Sequence, residues 1–256
     1  MKAKLKLWLW AFLRLLKIDA FYRKPGYHYV PDYFGRSAHK QRDIRTIPAF
    51  GETAEKIIQD ERVSLYYDRL YTVYQILSNW NIRTKNAREV LNTAEVGVYK
   101  GGTSYFIASI AKQMDMPIRH FCFDTFEGHA AEDINTSIEV SHAPNTFNDT
   151  SFEMVRAYLG AFENVEVYQG RIQNTAHALE NISMHFVHLD MDIYEPTLFA
   201  LRFFNDRMVC GGVILLDDYG FETCPGIERA VNEFLSANKN YFGTALLGGQ
   251  FILVKL

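Results

Sequence analysis

Ala94-Glu95-Val96-Gly97-Val98-Tyr99-Lys100-Gly101-Gly102-Thr103-Ser104 runs from a short apolar stretch through a glycine-bearing turn into a polar segment. The order predicts a strand, a tight loop and a helix beginning near Thr103. Glycines let the backbone take positive φ and approach a ligand, and the free N–H groups of a helix start face a carboxylate or phosphate. The loop spells an acid followed by G-x-x-x-G-G, not the G-x-G-x-x-G of dinucleotide sites. A glycine-rich turn that binds nothing is the plain alternative. Working outward, His120–Asp124, Val165–Tyr168, His185–Asp190 and Val213–Asp217 join Ala94–Val98 as short apolar runs separated by helical patterns. That alternation predicts a parallel α/β sheet. Ala245–Leu247 and Phe251–Leu256 are joined only by Gly248-Gly249 and predict a terminal antiparallel hairpin. Upstream, Val63, Tyr66, Leu70, Val73 and Leu77 recur every three or four residues and predict one long helix over 53–80, covering a sheet edge or a dimer face.

Of the 256 residues 48% are hydrophobic and 22% charged, which fits one large globular domain and excludes disordered and collagen-like chains. The net charge of -3 hides an asymmetry. Residues 1–50 carry 11 Lys/Arg against 3 Asp, leaving 16 basic against 27 acidic in 51–256. A basic arm over 1–50 ahead of a domain over 51–256 follows. Leu7–Leu13 is a seven-residue apolar run, too short for a membrane span, and no A-x-A-like cleavage site follows it. With Trp8, Trp10 and Phe12 among lysines, the segment suits peripheral contact with an anionic membrane or packing on a partner subunit. Regular interleaving of aromatic and basic residues is absent, so no nucleic-acid partner is expected. Cys122, Cys210 and Cys224 are odd in number and lack C-x-x-C spacing, which favours a reducing, cytoplasmic setting.

Open α/β sheets bind ligands beyond the carboxyl ends of their strands. Asp124 ends the second predicted strand, where a ribose diol is held, although it reads equally as a turn aspartate. Gln173, after the third, suits an adenine or a solvated loop. His188-Leu189-Asp190-Met191-Asp192 ends the fourth and Asp217-Asp218-Tyr219 the fifth. Four carboxylates at adjacent strand ends repel one another unless a cation offsets them, and an all-oxygen set suits Mg²⁺ or Mn²⁺.

The blocks EVGVYKGGTS, DTFEG, LDMDIYEPT and GGVILLDDYG, over about residues 90–238, resemble those of the macrocin O-methyltransferase family. The acidic blocks are specific in combination and the glycine loop is not. The resemblance implies a Rossmann-like class I methyltransferase fold, with a mostly parallel seven-stranded sheet, a C-terminal antiparallel hairpin and an N-terminal helical extension. It also implies S-adenosylmethionine as donor, Mg²⁺ as cofactor, a sugar or glycoside acceptor, and a self-associating enzyme. Carried over by motif position, Glu95, Gly97 and Thr103 line the methionine end of the donor, Asp124 the ribose and Gln173 the adenine. Asp190, Asp217 and Asp218 match the metal-binding acids of catechol-type methyltransferases. Those enzymes carry a lysine three residues after the first metal acid, and here Ile193 stands there, so the base is another group. Asp190 and Asp192 are the candidates.

His188 shares a strand face with Asp190 and either orients the site or is a satisfied core histidine. Gly128–Thr150 is long and polar and is expected to act as a lid. His129, Glu139 and His142 in it read as solvated loop residues before they read as acceptor contacts. Two other functions share these motifs. Asp190-Met191-Asp192 resembles the D-x-D of metal-dependent glycosyltransferases, and a silent methyltransferase-fold subunit could bind partners through the arm. Haloacid-dehalogenase phosphatases also open on D-x-D, but after their first strand.

Overall fold

The computed structural model describes residues 44–63, 67–84 and 89–256. The basic arm up to residue 43 lies outside them. Ile44–Phe50, counted with that arm on charge, fold as a 3-10 turn and the start of helix α1, Pro48–Gln59. Pro48 sits in the first turn, where its fixed φ is favourable and its missing N–H costs nothing. Helix α2 is Tyr67–Thr84, so the single helix expected over 53–80 is two. The cause lies at Asp60–Val63. Glu61 takes φ 52, ending the helix, and the chain then crosses Gly102 so closely that a Cβ there would meet Val63 Cγ1 at 2.2 Å.

Seven strands follow in the spatial order β3-β2-β1-β4-β5-β7-β6: β1 Leu91–Val96, β2 Ile118–Asp124, β3 Val165–Gln169, β4 Met184–Leu189, β5 Met208–Leu216, β6 Tyr241–Leu246 and β7 Gln250–Lys255. The first five pair in parallel. β7 runs antiparallel to both β5 and β6, so the hairpin closes the sheet as its Gly-Gly turn predicted. The helices between strands are α3 Gly102–Gln113, α4 Phe152–Leu159, α5 Ile172–Thr175, α6 Tyr194–Asn205 and α7 Pro225–Ala237.

Strand alternation divides the core. Ala94, Val96, Phe121, Phe123, Val187, Leu189, Ile214 and Leu216 share a cluster with Leu201 and Phe204 of α6 and Val231 and Phe234 of α7. Leu91, Ile118, Phe186 and Leu215 pack instead with Phe50 and Ile57 of α1, Leu70 and Leu77 of α2, and Phe106 and Ile107 of α3.

Arg69 fastens α2 to the carboxyl ends of the strands. Its Nε donates to the Gly248 carbonyl in the β6–β7 turn at 2.9 Å, and its guanidinium lies 4.8 Å from the Phe221 ring centroid. Nη1 donates to Asp218 Oδ1 at 3.0 Å and stands 3.4 Å from Asp217 Oδ2. Among the described residues no helix is long and apolar enough to cross a membrane.

Phe186 is fully buried on this helix-covered face. Phe186→Ala is expected to lose about 3–5 kcal/mol of stability in urea unfolding, against about 0.5 kcal/mol or less for Val140→Ser at a position 79% exposed. Arg69→Met strands a buried carboxylate and is expected to cost about 3–5 kcal/mol in the same measurement.

Candidate active site

A cavity of about 270 Å³ opens at the carboxyl ends of β1, β2, β4 and β5. Gly97, Thr103, Asp124, Gln173, Asp190 and Asp218 are among its lining residues. Four non-glycine residues on these loops hold left-handed backbone: Tyr99 (φ 50), Phe126 (φ 56), Asp192 (φ 61) and Asp218 (φ 61). Such backbone costs free energy that the surrounding fold must cover, and it concentrates at functional sites. Gly97, at φ 89, shows how tightly the loops meet, since a Cβ there would lie 1.8 Å from the Asp190 carbonyl oxygen. The glycine turn and the first acid of the D-x-D are therefore in backbone contact. Gly101 caps α3 at φ 83, and among the described residues no side chain is bonded to the first helix N–H groups, a position that favours an anion.

Each residue assigned to the donor lines this cavity. Asp124 Oδ2 accepts from the Tyr99 N–H at 2.8 Å, and Oδ1 from the Phe126 N–H at 2.6 Å and the Thr125 hydroxyl at 3.5 Å, leaving a lone pair on Oδ2 for a diol. Burial raises its pKa, and these N–H bonds oppose the rise. Gln173 donates to Asp133 Oδ1 at 2.7 Å, while its Oε1 is buried without a partner among the described residues. Asp133, which no motif pointed to, also accepts from Arg171 Nε at 2.9 Å. Glu95 is 1% exposed, and its carboxylate is already engaged by neighbouring side chains.

Those engagements form a buried polar chain on the α2–α3 face of the sheet. Thr93 Oγ1 meets His120 Nδ1 at 2.8 Å, and His120 Nε2 meets Ser104 Oγ at 3.0 Å. Ser104 donates its hydroxyl proton to Glu95 through a short hydrogen bond. Having one proton, Ser104 accepts from His120 Nε2–H, so Nδ1 of a neutral ring accepts from Thr93. Burial, with the His188 charge, drives His120 down to about 3. On the other side of Glu95, His188 Nδ1 lies 3.1 Å from Oε1, and His188 Nε2 is 3.4 Å from Asp217 Oδ1, an ion-pair distance without hydrogen-bond geometry. Burial alone would lower the His188 pKa, but Asp217 and Glu95 outweigh it and raise the ring well above its ordinary value. The ring is a fully buried core histidine held between two carboxylates.

The acids divide into two groups. Oxygen atoms of Asp190, Asp192 and Asp218 lie within 4.8 Å of one another beside the cavity. Burial first, then the charges of Asp217 and Asp218, push Asp190 well above the carboxylate range; Asp192 rises likewise, from burial and Asp218. Asp217 stands behind them at 1% exposure, accepting from Gln250 Nε2 at 2.6 Å and from Arg69. Burial would raise it, yet His188, Arg69 and Gln250 hold it below its ordinary value. Ligand atoms of Asp217, Asp190 and His188 also lie within 4.8 Å of one another, so Asp190 belongs to both groups and all four acids meet at this edge of the sheet. Arg69 and Gln250 escaped the sequence reading. The one available signal was Arg69 in register with Val73, Ile76 and Trp80 on the buried face of α2.

The 128–150 segment differs from its polar appearance. Ile138 joins the core, and Glu139 is 3% exposed with Oε1 accepting the Tyr194 N–H at the start of α6 at 2.7 Å. Glu139 is therefore a buried helix-capping acid rather than a solvated one.

A family model described as Macrocin-O-methyltransferase (TylF) matches residues 82–241. The chain is 28% identical over 139 residues to the 8-demethyl-8-(2,3-dimethoxy-alpha-L-rhamnosyl)-tetracenomycin-C 4'-O-methyltransferase of Streptomyces olivaceus, a match spanning 51% of this chain and 53% of that relative. The chain thus aligns with about half the length of the curated relative it matches. Among solved structures, the O-methyltransferase NovP superposes with a TM-score of 0.62 at 20% identity, over 76% of this chain and 82% of that one. The calicheamicin methyltransferase CalS11 gives 0.57 at 16%, over 84% and 94%. An O-methyltransferase from Bacillus cereus, solved in complex with SAH, gives 0.51 at 14%, over 84% and 92%. At these identities the structures share the fold with this chain. The family match covers well over half of the sequence and takes in the glycine loop and all four acids, so the chain belongs to the macrocin O-methyltransferase family.

Proposed function

We propose that the protein transfers a methyl group from S-adenosylmethionine to a hydroxyl of a sugar or glycosylated natural product, with Mg²⁺ as cofactor. The observation that carries this is the backbone contact between Gly97 and Asp190, which sets the donor loop beside the acid cluster on one cavity. Family membership favours this over glycosyl transfer by the D-x-D or a silent subunit. The curated relative is named as a 4'-O-methyltransferase of a rhamnosyl tetracenomycin, which supports a glycoside acceptor.

In this reading Gly97, Thr103 and the open N–H groups of α3 hold the methionine end, with Glu95 behind them. Asp124 holds the ribose diol and Gln173 Oε1 receives a donor group of the adenine. The donor set also fits a hard divalent cation, because it offers only oxygens and more negative charge than Arg69 balances. Mg²⁺ held by Asp190 and Asp218, with Asp217 or Asp192 as third acid, would supply Lewis-acid stabilisation of a developing alkoxide.

Methyl transfer from a sulfonium is an in-line displacement, so the protein's task is to place the acceptor oxygen about 3–3.5 Å from the methyl and take its proton. Asp190 and Asp192 are the proton acceptors at hand. Carboxyls raised by burial and like charge are stronger bases than free aspartate, a better match to an alcohol. His188, protonated between Glu95 and Asp217, is a positioning residue that helps hold Asp217 ionised. The 128–150 segment acts as the lid, with Gly128, His129, Thr146 and Phe147 lining the cavity. A self-associating protein in a reducing cytoplasm fits the free thiols of Cys122, Cys210 and Cys224.

Calorimetric titration of S-adenosylmethionine is expected to show binding that Asp124→Ala weakens about tenfold or more; metal-dependent binding of a UDP-sugar in its place would overturn the reading. Asp190→Asn is expected to lower turnover by about 100-fold or more with an unchanged circular dichroism spectrum, and near-normal turnover would remove Asp190 from the mechanism. Mg²⁺ titration of Asp192→Asn and Asp217→Asn identifies the third metal acid as the one whose loss weakens the ion more.

A further inference from the structure

A second group of side chains stands beside the acid cluster with different chemistry. His142, from the 128–150 segment, places Nε2 3.4 Å from the Sγ of Cys224, the residue just before α7. The same sulfur lies 3.8 Å from Asp192 Oδ1, and the three ligand atoms lie within 4.8 Å of one another. His142 Nδ1, on the far side of the ring, meets His129 Nε2 at 3.2 Å. Cys224 is 3% exposed, and burial pairs its thiol with these groups rather than with water.

A tetrahedral zinc with bonds of about 2.3 Å to sulfur and about 2.0–2.2 Å to nitrogen or oxygen sets neighbouring ligand atoms about 3.6 Å apart. The two separations measured around Cys224 Sγ, 3.4 and 3.8 Å, bracket that value. One thiolate, one imidazole and one carboxylate form a borderline-soft set that suits Zn²⁺ and not Mg²⁺. The outer bond is also in place. His142 can ligate through Nε2 only with its proton on Nδ1, and that N–H donates a hydrogen bond to His129 Nε2, as a metal-bound histidine does to the residue supporting it.

We propose that His142, Cys224 and Asp192 form a separate site for Zn²⁺, with the fourth position left to water, that ties the 128–150 segment to the end of β4 and the start of α7. Binding exchanges the Cys224 S–H bond for an S–Zn bond, and the thiol proton leaves to solvent. Asp192 belongs to both groups, so an occupied zinc site withdraws it from the acids beside the cavity. That consequence rests on the role given to Asp192 above, while the site itself does not.

The test is titration of the full-length protein with Co²⁺, followed by absorbance and then by competition with Zn²⁺. The expected result is one equivalent of Co²⁺ with a thiolate-to-cobalt charge-transfer band and the intense visible bands of a four-coordinate ion, both abolished by Zn²⁺ and unaffected by excess Mg²⁺. Cobalt at the oxygen-only group of Asp190, Asp192 and Asp218 gives no thiolate band. Cys224→Ser and His142→Ala are each expected to remove the band. His129→Ala is expected to weaken binding about tenfold or more, and Cys210→Ser, at an exposed cysteine, to leave it intact. Thermal melts of each variant separate loss of the site from loss of the fold. Absence of the band in the parent protein, or its persistence in folded Cys224→Ser or His142→Ala, overturns the proposal. No methyl donor or turnover enters the test, so its failure is distinct from failure of the methyltransferase reading.

Discussion

Asp217 carries a full negative charge at 1% exposure, and the arrangement of the strand ends follows from how that charge is held. A carboxylate taken out of water costs several kcal/mol unless cations and hydrogen bonds surround it. Here the compensation comes from three separate elements: Arg69 of α2, His188 of β4 and Gln250 of β7. Placing those groups requires the N-terminal helix to lie across the sheet, β4 to sit beside β5, and the terminal strand to insert antiparallel next to β5. The hairpin and the N-terminal extension are therefore tied to the site as well as to the core.

The same charge begins a line of polar contacts that runs from the acid cluster to the glycine loop. His188 stays protonated because Asp217 and Glu95 flank it, and Glu95 is in turn bonded by Ser104 in the first turn of α3. His120 is kept neutral by its burial and by the His188 charge, which lets it support Ser104 through a neutral hydrogen bond. On one face, β1, β2, β4 and β5 each carry an apolar residue ahead of a polar one: Leu91 then Thr93 and Glu95, Ile118 then His120, Phe186 then His188, Leu215 then Asp217. The helices that cover the apolar half are the ones that seal the polar half from water, which raises the strength of every contact in it.

Charge left uncompensated is as informative as charge that is paired. Burial first, then the neighbouring charges of Asp217 and Asp218, raise Asp190 and Asp192 well above ordinary carboxylates, while Arg69 is engaged by Asp217 and Asp218. Left-handed backbone at Asp192 and Asp218 holds those side chains at the cavity despite the repulsion. Stability is given up locally where chemistry is proposed to occur, and the flanking core of β4, β5, α6 and α7 makes it up.

Much of this was legible in the sequence. Period-two and helical patterning, the Gly248-Gly249 turn and the glycine loop determined a parallel α/β sheet with an antiparallel end, because those signals are local and repeat along the chain. The acids at the ends of β4 and β5 were legible for the same reason, since strand termini place them on one edge. What only the tertiary structure decided is pairing at long range. Nothing local marks Arg69 as the partner of Asp217, Gln250 as its hydrogen-bond donor, or Glu139 as the cap of α6. The break between α1 and α2 was hidden too, because apolar periodicity continues on both sides of it and the deciding contact, the close crossing over Gly102, comes from about forty residues downstream. Local patterning sets which residues reach an edge, and the desolvation cost of each buried charge sets which of them meet.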